Sequence, residues 1–243
     1  MIRRFVSFLF TLALAVVIVA LVWSRTSLFH HHGDRASRYH RSQRHREYWR
    51  GERHLTKAEM RQYCAQFDVT YTSEYFARWR PPAKESCSST MRDGYPVPDP
   101  QCTPGGINPS VTVALLRNPA WRTGCIRNHE TSERKKHKTY RWYSLRDPYR
   151  NYGGTQVCEL DHLVPLELGG ADGLGNIWPE CGPSRVALHN RYFKIKDRVE
   201  NYLAYEVKSG KMPLATAQRG IAENWTQYLD AANRYCASIG GCD

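Results

Sequence analysis

The sequence predicts an α+β domain stapled by disulfides, with a helical C-terminal third, carried behind an apolar N-terminal segment. Three observations predict it. Eight cysteines all follow one apolar run, Phe5 to Trp23. A strand–turn–strand pattern occupies residues 157–180. Apolar residues at four-residue spacing fill the chain after residue 190. The 243 residues suffice for one or two domains, and 41% hydrophobic content suits a soluble domain with one core. The net charge of +12 points to an acidic partner, nucleic acid or an anionic membrane surface. A basic surface that merely keeps the protein soluble is the plain alternative.

The elements follow in chain order. Arg3 and Arg4 precede the apolar run, which only Ser7 and Thr11 interrupt. At about 1.5 Å per residue this run nearly spans a hydrocarbon core of about 30 Å. It exceeds the apolar core of an ordinary signal peptide, and Leu21, Val22 and Trp23 leave no small-x-small cleavage site. Residues 1–24 are therefore read as a signal anchor in preference to a cleaved signal peptide. The rest of the chain then lies outside the cytoplasm, at the membrane, or periplasmic or secreted if cleavage occurs. Residues 25–54 hold seven arginines besides Arg25, and six histidines including His30, His31 and His32. With almost no aliphatic residues they cannot build a core, and they read as a solvated linker. Loose metal capture by the histidines and attraction to nucleic acid or lipid head groups are its functional alternatives.

Order is expected from residue 55. Thr56 and Glu59 fit a capping box ahead of a helix reaching about Phe67. Residues 68–110, rich in proline and glycine, read as loops and short strands. Residues 133–150 mix cations with Tyr140, Trp142, Tyr143 and Tyr149. That mixture fits either a surface that grips phosphates and stacks bases or a half-buried strand with a charged outer face. Ile195, Val199 and Leu203 mark a helix ending near Gly210, and Ala217, Ile221, Trp225 and Leu229 mark another after Pro213. These stripes are core. Cys64, Cys87, Cys102, Cys125, Cys158, Cys181, Cys236 and Cys242 allow four disulfides, and no C-x-x-C pair suggests a zinc site instead. The expected bridges include Cys102–Cys125 and Cys158–Cys181, the latter clamping the hairpin.

The chemistry-bearing segment is ELDHLVPLELGGADGLGNIWPE, residues 159–180. A strand from Val157 to Leu163 breaks at Pro165 and Gly169-Gly170, which suits a hairpin containing a loop. Asp161-His162 at the strand end offers one hard oxygen ligand and one base. Phosphodiester hydrolysis needs that pair: a cation to neutralise developing charge and an imidazole to take a proton from water. Asn176 is placed to hydrogen-bond across the hairpin and orient His162. Alone, an Asp-His pair reads as an ordinary surface pair.

The combination carries more. DHLVPL, then Gly169-Gly170, then Asn176-Ile-Trp-Pro, then Lys196-Asp197-x-x-Glu200-Asn201 closely resembles the exported branch of the HNH, or ββα-metal, endonucleases. The resemblance runs from residue 98 to about 229 and includes PDPQCTPGG and TGCIR upstream. It implies a small ββα-metal module inside the disulfide-stapled domain, so that residues 55–243 form a nuclease domain. It implies His162 as general base, Asn176 as the middle letter of the motif, and Asp161 as a ligand of one divalent metal ion, magnesium, manganese or zinc. His189 is the chemically natural further ligand, while Asn190, Asp197 and Glu200 remain open. The expected substrate is DNA, with RNA left open, cut with little sequence preference. No organic cofactor is expected, and the membrane is a partner only through the N-terminal segment. The rival from another class is a non-catalytic nucleic-acid-binding protein at the cell surface. A structural envelope protein whose basic stalk binds anionic lipid is a third reading.

Overall fold

The computed structural model describes residues 55–71, 74–75, 79–127 and 133–242. The apolar segment, the His/Arg-rich segment and the expectations attached to them lie outside those residues. Among the described residues no helix is long and apolar enough to cross a membrane. The chain divides into two compact units, Met1–Glu59 and Met60–Asp243. In the first, the capping box forms as expected: the Thr56 N–H donates to Glu59 Oε2 at 2.7 Å, and the Glu59 N–H donates to Thr56 Oγ1 at 3.3 Å. It opens helix α1 (Lys57–Cys64), which ends three residues short of the expected Phe67.

Among the described residues the fold is mixed α and β, with three two-stranded sheets, a helical C-terminal region and four disulfides. Short strands β1 (Glu74–Tyr75), β2 (Thr90–Arg92), β3 (Tyr95–Val97) and β4 (Gly106–Ile107) pair antiparallel as β1–β4 and β2–β3. Helix α2 (Val113–Arg117) follows, N-capped by Thr112. The basic aromatic stretch is helical, not a strand: α3 (Glu133–Lys136) and α4 (Lys138–Trp142). Lys136, Thr139, Tyr140 and Tyr143 are buried while Lys138 and Arg141 are exposed, a spacing that fits a helix and not an alternating strand.

The hairpin joins β5 (Cys158–His162) to β6 (Ile177–Cys181), with Cys158 opposite Cys181 and His162 opposite Ile177. The Cys158–Cys181 bridge forms as expected, its Cα atoms 4.0 Å apart. The other expected bridge does not: Cys125 joins Cys64 and Cys102 joins Cys87, while Cys236 joins Cys242. Cys102 meets Cys87 because the loop before it folds back, the Cys102 and Thr103 N–H groups both donating to Asp99 O. Two glycines shape the loop inside the hairpin. Gly169 takes φ +72°, and a Cβ on Gly170 would lie 1.8 Å from the Val164 carbonyl oxygen, so no larger residue fits there.

Helices α5 (Tyr192–Lys208), α6 (Leu214–Asn224) and α7 (Leu229–Ile239) form the C-terminal third. Val199, Leu203 and Val207 of α5 pack with Ala217 and Ile221 of α6, Trp225, and Leu229 and Ala232 of α7. The predicted stripe from Ala217 to Leu229 is therefore core, yet its helix breaks at Asn224. Asn224 is extended, and its side chain accepts from the Thr226 N–H, starting a short 3-10 turn before α7. Helix α5 follows the hairpin and packs against both β5 and β6, which brings its buried face beneath the catalytic candidates.

Candidate active site

His162 sits at the end of β5, its side chain 12% exposed. Its Nε2 lies 2.9 Å from Asp172 Oδ1. An ionised carboxylate only accepts, so the proton of a neutral imidazole is assigned to Nε2 and the lone pair to Nδ1. Asp172 reaches His162 because the turn closed by Gly169 and Gly170 folds residues 171–173 back over the strand end. Lys136 of α3 approaches the same Asp172 oxygen at 3.2 Å, with both side chains nearly buried. Burial raises the Asp172 carboxyl, but the hydrogen bond and charge of His162, with Lys136, outweigh it and hold the group below the usual carboxylate range.

Asn176 hydrogen-bonds across the hairpin as expected, but to backbone groups and not to the His162 ring. It is fully buried, and its Oδ1 accepts from the Val164 N–H while its Nδ2 donates to Val164 O and Ala171 O, each at 2.9 Å. No hydrogen bond joins it to the His162 ring among the described residues. It pins the backbone on both sides of the turn, and Asp172, not Asn176, holds the imidazole.

Asp161 turns to the opposite side of the hairpin end. The His162 N–H donates to its Oδ1 at 2.8 Å. Its Oδ2 lies 2.7 Å from Lys196 Nζ, close enough for an ion pair although not aligned as a hydrogen bond. Lys196 is fully buried on α5; it donates to His162 O at 2.8 Å and pairs with Glu200 one turn on. Burial opposes its charge, but Asp161, Glu200 and Glu180 together raise the ammonium above the usual lysine range. Glu180 of β6 is fully buried beside Asp161, and among the described residues neither of its carboxylate oxygens has a partner in full hydrogen-bond geometry. Burial first, then the Asp161 charge, push Glu180 well above its ordinary value, with Lys196 acting against them. Burial, Asp161 and Asp197 likewise push Glu159 up to about 7 against Lys194 and Lys196.

His189 lies exposed in the turn Leu188–Asn190, where its carbonyl oxygen accepts from Arg198 Nη2 at 2.9 Å. Asn190, also exposed, shares that turn, and Asp197 pairs with Lys194 at 2.7 Å. Of the side chains on α5, Lys196 is the one that meets Asp161, with Glu200 beside it. Among the described residues no group of three or more His, Cys, Asp or Glu side chains could hold a metal ion. One Asp161 oxygen serves the backbone and the other faces an ammonium. The residues present thus do not fit the divalent cation that the resemblance implies. Sequence reasoning missed Asp172, Lys136, Lys196 and Glu180. Lys196 had a signal: it falls on the buried phase of α5 with Phe193, Leu203 and Val207, where an unpaired lysine is not tolerated.

Compared with known protein-family models, curated proteins and solved structures, the chain matches none.

Proposed function

We propose that this protein is an exported nuclease of the ββα type that hydrolyses phosphodiester bonds of DNA, with RNA as a further candidate substrate, and that His162 is its general base. The observation that carries the reading is the 2.9 Å contact between His162 Nε2 and Asp172, set in a loop fixed by Asn176. That contact leaves Nδ1 as the basic nitrogen, and no hydrogen bond among the described residues engages it. In the reaction, the oxygen of a water bonds to phosphorus while the bond to one ester oxygen breaks. The water's proton passes to Nδ1, and the leaving oxygen takes a proton from solvent. Asp172 holds the ring in one tautomer and stabilises the imidazolium that forms.

The net charge of +12 supports a polyanionic substrate, held through its backbone without base readout. The four disulfides support a location outside the cytoplasm. In this reading the segment Phe5–Trp23 tethers the protein to the membrane. A second reading, nucleic-acid binding without catalysis, is favoured by Tyr149 and Tyr152, 87% and 68% exposed, with the Arg150 guanidinium 5.4 Å from the Tyr149 ring centre. Incubating the purified full chain with supercoiled plasmid separates the two. Cleavage that falls by about 10²–10⁴-fold in His162→Ala supports the nuclease. Equal cleavage by wild type and His162→Ala, or binding with no cleavage under any metal or pH condition, removes it.

A further inference from the structure

The resemblance implies a divalent cation on Asp161, yet a side chain of the chain itself has that position. Lys196 Nζ lies 2.7 Å from Asp161 Oδ2 and 2.8 Å from the carbonyl oxygen of His162, and it pairs with Glu200. We propose that the Lys196 ammonium is the resident cation of this site, fixing Asp161 and the His162 backbone in place of a divalent metal. The inference rests on the reading of His162 as the base and says how that base is held.

Three observations support it. First, distance: the Lys196 ammonium lies 2.7 Å from Asp161 Oδ2 and the His162 N–H donates to Oδ1 at 2.8 Å, so each oxygen of this carboxylate already faces a donor of the chain itself. Second, burial: Lys196 is 0% exposed, rooted on a helix packed beneath β5, so its head group has no route to water without moving α5 or the hairpin. Third, partners: besides Asp161, the Lys196 ammonium donates to the His162 carbonyl at 2.8 Å and pairs with Glu200, so its three donor hydrogens have three oxygen partners. Lys196 does not reach solvent, so it is a positioning residue that acts through Asp161 and the His162 carbonyl.

The test is calorimetric titration of the full chain with manganese and, separately, magnesium, for wild type, Asp161→Asn and Lys196→Met. Wild type is expected to bind neither ion in a way that Asp161→Asn abolishes. Lys196→Met strips the cation from Asp161, Glu180 and Glu200, so this variant is expected to gain a manganese site that the added Asp161→Asn change removes. A purely structural lysine would not produce that gain. Wild type binding one manganese ion, lost in Asp161→Asn, overturns the proposal. If Lys196→Met does not fold, the comparison of wild type with Asp161→Asn still decides. Plasmid cleavage gives the second arm: activity that EDTA leaves unchanged supports Lys196 as the cation, and activity that requires added metal overturns it. Absence of cleavage under both conditions removes the nuclease reading alone, and the titration still rules on Lys196.

Discussion

Truncating Asn176 tests whether this residue is a brace or part of the chemistry. In Asn176→Ala, three backbone groups lose their partner: the Val164 N–H, the Val164 carbonyl and the Ala171 carbonyl, each bonded at 2.9 Å in the native fold. The site is fully buried. An unsatisfied buried group costs about 1–3 kcal/mol, with carbonyls at the low end because they keep a second lone pair. The expected loss is therefore about 3–6 kcal/mol, a large share of the roughly 5–15 kcal/mol that holds a domain together. Urea unfolding followed by tryptophan fluorescence, with disulfides intact, measures it. Trp178, buried on β6 close to the turn, reports the transition. A midpoint change equivalent to less than about 1 kcal/mol would refute the reasoning, because it would mean that water or a relaxed loop replaces all three bonds at no net loss.

Asp172→Asn keeps the shape of the contact but loses its charge, so cleavage should fall about 10–100-fold while the fold survives, as read by plasmid nicking and circular dichroism; unchanged nicking rules out Asp172 as the positioning partner. The lowered Asp172 value also contributes stability above its unfolded pKa, and this contribution is lost as pH falls through the folded value; thermal melts on the acid side should show the wild type losing that advantage over Asp172→Asn. Glu159, raised from 4.5 to about 7, gives the opposite sign, a penalty that grows as pH rises between those values and reaches about 3 kcal/mol at most, at about 1.4 kcal/mol per unit. Glu159→Gln should therefore stabilise the protein above about pH 7 and have little effect near pH 4, and the same gain at both pH values would contradict the assignment. Replacing both Cys158 and Cys181 by alanine should cost about 3 kcal/mol in the same melts, from loop entropy returned to the unfolded chain.

Much of the frame was legible because its signals are local. The capping box at Thr56 and Glu59, the stripes on α5 and α6, the glycine pair and the Cys158–Cys181 clamp each depend on residues close in sequence or in register. The Cys102–Cys125 expectation failed because pairing in a loop-rich segment depends on how distant loops pack. The stretch from 133 to 142 is helical because its buried positions recur at three and four residues, a period masked in the sequence by lysines and arginines on every side. At the site, Asp161 and His162 were legible as a pair, but not that they part company, His162 to Asp172 and Asp161 to Lys196. Both partners are charged residues that sequence reasoning assigns to the surface, and only tertiary packing shows them turned inward.

The bridges of the first half carry a further consequence for how the protein is made. Cys87–Cys102 lies nested inside Cys64–Cys125, a loop of sequence separation 61. On the proposed export, the chain enters an oxidising compartment from its N-terminus and presents Cys64 and Cys87 first, then Cys102 and Cys125. Oxidation in order of arrival joins Cys64 to Cys87 and Cys102 to Cys125, and both pairs are wrong. Reaching the native set requires thiolate attack on those early bridges and exchange to the nested arrangement, chemistry that takes seconds to hours without a catalyst. Host cells that oxidise cysteines without reshuffling them should therefore accumulate misbridged protein, and co-expression of a disulfide isomerase should raise the yield of the form with the nested pair.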